Sequence, residues 1–334
     1  MVTGYDLLVR CGIVLAAGSG MRLRPLIHRL RGDHLPKQYV NLIGTRSLLQ
    51  ITHARTRKLI PPERLFTVVS RDHLEHPEVE RQLSDLPPGT VVIKQPMNRD
   101  TGPGILLPLM YIYKHYPRSI VVVFPSDHFI GEEESFMDHV HVACQAVERQ
   151  PSRLVLLGIQ PSGPETEYGY IQLGQKVNRL SSLGIYEVSR FIEKPEIHHA
   201  RELIKTGAFW NTMVMVFEVR STLELVSQVE PTLHRRFGAI LEKIGTPGES
   251  RAVEEAYRRM ASVNFSHGIL QQIARSHPSR LAVLPVRDVT WSDLGSERRI
   301  LDLLRKDTAQ ARLPAGREME TLLREATIAL GRIK

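Results

Sequence analysis

Residues 12–26 read GIVLAAGSGMRLRPL, and PKQ follows at 36–38. The apolar run at 13–17 ends in Gly18-Ser19-Gly20, the pattern of a buried strand opening into a glycine loop. Glycines let the backbone turn sharply and bring its N–H groups close to a ligand, while Arg22, Arg24 and Lys37 add positive charge at the same strand end. A polyphosphate is the ligand such a loop suits. Two familiar motifs do not account for it: Leu23 stands where a dinucleotide fingerprint has its third glycine, and no Lys-Ser or Lys-Thr pair follows as a P-loop requires. A strand and Gly-Ser turn also occur in many α/β proteins, so the rest of the chain has to decide.

The 334 residues are enough for a large core, and 44 basic against 36 acidic side chains leave a net charge of +8. Much of the excess lies at 22–37, where Arg22, Arg24, Arg29, Arg31 and Lys37 face Asp33 and no aromatic side chain interrupts them. Nucleic-acid grooves interleave aromatics with charge, so small phosphorylated ligands are expected instead. No apolar run approaches the roughly 18 residues of a membrane span. Arg10 breaks the N-terminal apolar stretch and leaves 7–9 too short for a signal-peptide core, so a cytoplasmic protein is expected. Cys11 and Cys144 share no metal or disulfide spacing and read as buried, reduced thiols.

Strand and helix patterns alternate through the first half. Strands are expected at 65–69, 91–93, 120–124 and 154–159, and helices at 47–59, 78–83, 105–113 and 136–147. Strands apolar on both faces and separated by helices describe an α/β protein with a mixed, mostly parallel sheet flanked by helices. Ligands of such sheets sit at the carboxyl ends of the strands. Three strand ends are therefore of interest: the glycine loop, QPMNRDTGPG at 95–104 and PSDH at 125–128. The second half has longer strands at 168–171, 185–188 and 210–219, helices at 223–229, 233–244 and 254–260, a strand at 281–284, and an amphipathic helical tail from 297 broken at Pro314-Ala315-Gly316.

Asp127 and Asp293 each follow an apolar strand. A solvated strand terminus would explain either one alone; together, beside a phosphate loop, they suit Mg2+, which takes one or two carboxylates plus phosphate oxygens and water. Lys194 ends a strand in FIEKP and offers a point charge to a phosphate, although a solvated helix entry has the same pattern. Asn211, beside Trp210, has donors and acceptors suited to sugar hydroxyls, or to a simple turn. Ser126, Asp127 and His128 are adjacent and cannot converge as a hydrolase triad. The histidines, among them His73, His76, His139 and His141, lack a ligand set and read as surface residues.

Taken in order, LAAGSGMRLRPL, PKQ, QPMNRDTGPGI, FPSDH, EYGYI, FIEKP, FWNTMVMVF and TWSDLGS make the chain, from about 12 to 296, resemble the mannose-1-phosphate guanylyltransferase family of sugar-phosphate nucleotidyltransferases. The resemblance implies a Rossmann-like, glycosyltransferase-A type fold and the conversion of GTP and mannose 1-phosphate to GDP-mannose and pyrophosphate with Mg2+. It implies a nucleotide site at Ala16, Ala17, Gly18, Ser19, Gly20, Met21, Arg22, Lys37, Asn98, Arg99 and Thr101. It implies a sugar-phosphate site at Tyr168, Gly169, Glu193, Lys194 and Asn211, a metal on Asp127 and Asp293, and catalytic roles for Arg22, Lys37, Asp127 and Lys194.

One nucleotidyltransferase unit over 7–296 is expected, with a nucleotide half to about 160 and a sugar-phosphate half from 161, followed by the 297–334 tail. The tail is expected either to cover the sheet or to build a homodimer. No hexapeptide-repeat or cupin-like extension follows Ser296, so a single activity is expected. Departures from the family pattern fall at Ala17 and Arg24, at Asp100 and Gly102, which stand for Asn and Ala, and at Asn264, which stands for Asp. The metal carboxylates and Arg22 are kept.

Overall fold

The computed structural model describes residues 9–309; residues 7 and 8 and the tail beyond 309, with its Pro314-Ala315-Gly316 break, lie outside the described residues. In chain order the strands are β1 (Arg10–Ala16), β2 (Leu65–Ser70), β3 (Val91–Gln95), β4 (Ile120–Pro125), β5 (Phe129–Ile130), β6 (Leu154–Ile159), β7 (Gly169–Lys176), β8 (Tyr186–Glu193), β9 (Phe209–Glu218), β10 (Leu281–Val286) and β11 (Trp291–Ser292). The helices are α1 (Arg24–Arg31), α2 (Leu48–Thr56), α3 (Pro77–Ser84), α4 (Thr101–His115), α5 (Glu133–Arg149), α6 (Ile197–Lys205), α7 (Val219–Val229), α8 (Pro231–Leu241), α9 (Glu249–Arg259), α10 (Gln271–Ser276) and α11 (Glu297–Ala309). No helix among the described residues is long and apolar enough to cross a membrane.

Among the described residues nine strands form one sheet in the order β3-β2-β1-β4-β9-β6-β10-β8-β7, with β7 also pairing to β9. The run β3-β2-β1-β4 is parallel. β9 and β8 run against the other strands, so the sheet is mixed around a parallel nucleotide-side half. β5 and β11 make a separate two-stranded ribbon. The chain moves outward from β1 through β2 to β3 and then crosses back to β4 on the other side of β1, a reversal of strand order that opens a crevice at the carboxyl ends of β1 and β4.

The β-branched run of β4 shows why the strands stay in register. Val121 and Val123 face one helical layer with α4 and α7, while Ile120, Val122 and Phe124 face the other with α5. A one-residue slip would exchange two complete apolar faces. Gly12 in β1 leaves room for Leu65, Ile60 and Phe124, since a Cβ there would lie 2.7 Å from the Leu65 side chain. Cys11 and Cys144 are buried free thiols, and burial pushes them up to about 11 and about 12 respectively.

Two parts of the chain differ from expectation. Residues 24–31 form α1, with Leu26 and Ile27 buried and Arg29 exposed, where the sequence pattern suggests no helix. The histidines divide: His73 and His53 are buried, and burial lowers both to about 4. His73 packs edge-on against Tyr39 with ring centroids 5.7 Å apart, so it is a neutral core group and not a surface residue.

The loop between β3 and α4 is stitched to residues 262–265. Gly102 N–H donates to the Val263 carbonyl at 2.8 Å, Val263 N–H to the Arg99 carbonyl at 3.1 Å, and Phe265 N–H to Thr101 Oγ1 at 2.8 Å. A Cβ on Gly102 would come within 2.6 Å of the Val263 carbonyl oxygen, a backbone atom that cannot step aside. Gly102→Ala is expected to lower stability by about 1–3 kcal/mol, read as a lower urea midpoint with unchanged m.

Candidate active site

The glycine loop is fixed from below by the segment that follows it. Gln38 is buried, and its Nε2 donates to the Ala16 carbonyl at 2.8 Å and the Gly18 carbonyl at 3.0 Å; Tyr39 Oη donates to the Ala16 carbonyl at 3.3 Å. With these carbonyls tied inward, the other side of the loop faces the crevice. Gly20 takes φ 57° and starts the short turn Met21–Leu23 that leads into α1, and a Cβ there would crowd the Lys37 backbone nitrogen at 3.3 Å. Around Gly18 a Cβ would meet nothing within 4 Å, so that position is open to a ligand.

A cleft of about 640 Å³ opens over this loop. Ala17, Gly18, Ser19, Gly20, Met21, Arg22, Lys37, Asn98, Thr101, Asp127 and Lys194 all line it. Ala16 lies beneath, as the carbonyl that Gln38 holds. Arg99 turns away: its Nε donates to the Tyr257 carbonyl at 3.0 Å, at the end of α9. Asp100 also lines the cleft, at φ 69° and ψ −176°, a combination that glycine alone adopts without strain. Its nitrogen donates to Asn98 Oδ1 at 2.8 Å, and Asn264 Nδ2 donates to its Oδ1 at 3.1 Å.

Gly169, Glu193 and Asn211 meet behind the Lys194 wall. A Cβ on Gly169 would lie 2.7 Å from Glu193 Oε2 and 3.3 Å from the Asn211 Cβ. Lys194 is held at φ 51° by a bond from its N–H to the Tyr168 carbonyl at 3.1 Å. Tyr168 packs on Trp210 at 4.8 Å and Trp291 at 5.3 Å, giving that side an aromatic wall. Burial raises the Glu193 carboxyl to about 7 against the pull of Lys194, with Asp100 adding to the rise.

Asp127 and Asp293 are joined through Lys37. The ammonium lies 3.0 Å from Asp127 Oδ2 and donates to the Asp293 carbonyl at 2.7 Å and the Leu294 carbonyl at 3.4 Å; its side chain is 8% exposed. Burial alone would raise the Asp127 carboxyl, but Lys37 and His128 outweigh it and hold the group below the usual carboxylate range. Asp293 is likewise lowered against burial, by Lys37, Arg299 and His128. The two carboxylates interact electrostatically, each anionic near neutral pH.

The Asp127 carboxylate fits a divalent cation: its side chain is 30% exposed toward the cleft, and Oδ1 has His128 no nearer than 3.6 Å. Asp293 is more heavily engaged. Tyr168 Oη donates to its Oδ1 at 2.8 Å, Gly295 N–H to the same oxygen at 2.9 Å, and Arg299 Nη1 to both oxygens at 3.0 and 3.1 Å. Among the described residues, no group of three or more His, Cys, Asp or Glu side chains is arranged to hold a metal, so phosphate oxygens and water would complete the shell.

Sequence reading missed Gln38, Gln95 and Ser262, of which the last two line the cleft, and it missed Arg299, Glu165 and Glu167 entirely. Gln38 was adjacent to a signal, standing inside PKQ. Arg299 had none, being one of several arginines on an amphipathic helix.

A mixed α/β sheet carries a glycine loop, a buried lysine and two carboxylates at its strand ends, an arrangement whose chemistry suits phosphate groups. The chain belongs to the nucleotidyl transferase family, whose model matches residues 11–310. Among curated relatives it is 28% identical over 301 residues to a xanthan biosynthesis protein, XanB, of Xanthomonas campestris pv. campestris (strain B100), which covers 88% of this chain and 59% of that protein. It is 28% identical over 297 residues to a mannose-1-phosphate guanylyltransferase of Escherichia coli, covering 88% of this chain and 60% of the relative. The chain thus spans about three fifths of the length of these relatives. Among solved structures it is similar to that titled mannose-1-phosphate geranyltransferase from Thermus thermophilus, with TM-score 0.74 and 29% identity over 88% of this chain and 79% of the other.

Because folding raises the Glu193 pKa from 4.5 to about 7, the folded state holds the extra proton between those values and stability falls as pH rises through that window. Glu193→Gln is expected to abolish the decline, worth on the order of 2 kcal/mol, in denaturation midpoints compared at pH 5 and pH 8.

Proposed function

We infer that the protein transfers a nucleotidyl group from a nucleoside triphosphate to a sugar 1-phosphate, with GTP and mannose 1-phosphate giving GDP-mannose and pyrophosphate. The observation that carries this reading is the convergence of the glycine loop, Arg22, Asp127 and Lys194 on one cleft. The guanylyltransferase names of the curated relatives support the choice of base and sugar. Residues 7–296 would form the transferase unit, its glycine-loop half taking the nucleotide and the half from about 161 taking the sugar phosphate.

The reaction needs no general base, because a phosphate monoester with a second pKa near about 6 is largely dianionic at neutral pH. An oxygen of the sugar phosphate attacks the α-phosphorus, the new P–O bond forms as the bond to the β-phosphate breaks, and pyrophosphate leaves with the electron pair. The protein's share is positioning and charge. Backbone N–H groups of 17–20 and the Arg22 guanidinium would hold the triphosphate, with Arg22 next to the departing pyrophosphate. Asn98 and Thr101 would frame the nucleoside. Lys194 would bind the sugar phosphate, with Gly169, Glu193 and Asn211 giving the sugar hydroxyls a close-fitting polar surface, and Tyr168 and Trp210 an apolar wall.

Asp127 would hold Mg2+ with phosphate oxygens, and Asp293 would be the second carboxylate. The ion supplies neutralisation of the phosphate oxygens when bound. Lys37 keeps Asp127 ionised and in place, a positioning role, since its ammonium is already directed at protein oxygens.

Pyrophosphate release, scanned over GTP, ATP, UTP, CTP and dTTP against mannose 1-phosphate and glucose 1-phosphate, tests the reading. Release requiring GTP and mannose 1-phosphate together is expected; turnover with another pair moves the specificity to the loop around Asp100 and Asn264, and no release with any pair overturns the reaction. Arg22→Ala is expected to lower kcat about 100-fold or more with little change in unfolding midpoint, whereas Asp127→Asn is expected to lower kcat by as much and also to lower the midpoint, because Lys37 loses its carboxylate partner. Near-normal turnover in either variant removes that residue from the mechanism.

A further inference from the structure

Asp293 already carries a cation. Arg299 reaches it from α11, donating Nη1 to both carboxylate oxygens at 3.0 and 3.1 Å and Nη2 to Glu165 at 2.5 Å. Its guanidinium carbon lies 4.5 Å from the centre of the Tyr168 ring. The Arg299 and Asp293 side chains are 14% and 13% exposed, so the pair is desolvated and held in one geometry, unlike an ion pair on the surface. Glu167 lies between two arginines: it forms an ion pair with Arg22 and approaches Arg299 Nη1 at 3.7 Å. Arg22 in turn lines the cleft and is 3.8 Å from Asp293 Oδ2.

This network sets two guanidinium groups against three carboxylates. A triphosphate entering the glycine loop competes with Glu167 for Arg22, and the phosphate oxygens, with more charge in the same fork geometry, win. The released Glu167 has Arg299 as its nearest remaining cation. Arg299 drawn toward Glu165 and Glu167 leaves Asp293 with one fewer cation, so that its carboxylate faces the phosphate oxygens less well compensated, and a divalent cation is favoured between them.

We propose that Arg299 is the resident counter-cation of Asp293, exchanged for the metal when nucleotide binds, so that Glu167 couples metal capture to nucleotide capture. Arg299 is a positioning residue: it acts through Asp293. The proposal rests on the reading of the cleft as a nucleoside triphosphate site, and metal binding tests it apart from turnover.

The test is titration of the purified full chain with Mn2+, followed by electron paramagnetic resonance, with and without α,β-methylene GTP. Without nucleotide, Arg299→Ala is expected to bind Mn2+ about tenfold more tightly than the unaltered protein, within the usual range of coupling between sites. The analogue should narrow that difference, and adding Asp293→Asn should abolish it. Equal Mn2+ affinity without nucleotide, or a gain that survives Asp293→Asn, overturns the proposal. Glu167→Gln, at a half-exposed position, keeps the test open should Arg299→Ala unfold. It is expected to tighten binding of GTP in EDTA several-fold by freeing Arg22, and unchanged affinity overturns the coupling. No pyrophosphate release from any substrate pair would overturn the proposed reaction, while the Mn2+ comparison without nucleotide would still decide the role of Arg299.

Discussion

The Lys37 ammonium is the interaction on which the site depends. A buried ammonium is tolerated only when its donors are taken up, and here they are met by one carboxylate and two main-chain carbonyls. Those acceptors belong to segments that the chain separates widely: Asp127 follows β4, and residues 293 and 294 follow β11. Satisfying one charge therefore fixes the relative position of both carboxylate-bearing turns. The neighbouring Gln38 and Tyr39 do the same for the glycine loop through the Ala16 and Gly18 carbonyls. Three consecutive side chains thus align the phosphate loop with both carboxylates, which gives the short PKQ segment a structural role beyond charge.

The electrostatic result is a site that is anionic where its metal would sit and cationic at its rim. Burial works against ionisation of Asp127 and Asp293, and the nearby cations, with the Tyr168 hydroxyl at Asp293, keep both carboxyls below their ordinary range. Two like charges held close in a partly desolvated pocket favour a divalent cation whenever phosphate oxygens are there to share it. The protein's own cations, Lys37 at Asp127 and Arg299 at Asp293, keep the pair from repelling each other in the meantime.

Much of this was legible in the sequence because the signals were local. The both-faces-apolar runs at 120–124 and 154–159 read directly as strands with a helical layer on each side, and the structure has them as β4 and β6. The α/β class followed from the alternation, whereas the reversed directions of β9 and β8, which make the sheet mixed, did not, because direction is set by pairing across the sheet and not by composition. The departures at Asp100, Gly102 and Asn264 looked independent along the chain. In space they meet: Asn264 Nδ2 donates to Asp100 Oδ1, and Gly102 makes room for the backbone contact with Val263. Arg299 could not be read, since its meaning arises only when α11 folds back on Asp293.

Backbone strain marks the same place by an independent route. Five non-glycine residues among those described have positive φ: Asp100, Lys194, Met213, Asp288 and Leu294. Asp100 and Lys194 line the cleft, the Leu294 carbonyl accepts from Lys37, and the Met213 N–H donates to Asn211 Oδ1 at 3.1 Å. Each such residue costs on the order of 1–3 kcal/mol and persists where the surroundings enforce it; Asp288, just past β10, is the one of the five placed away from the site. Four of the five bordering one site means that the fold tolerates unfavourable backbone where side chains must converge, and relaxes elsewhere. In this protein the sugar-side lysine is the clearest case: with φ 51°, Lys194 turns from the end of β8 into the cleft shared with the glycine loop, a direction that an extended continuation of the strand could not give it.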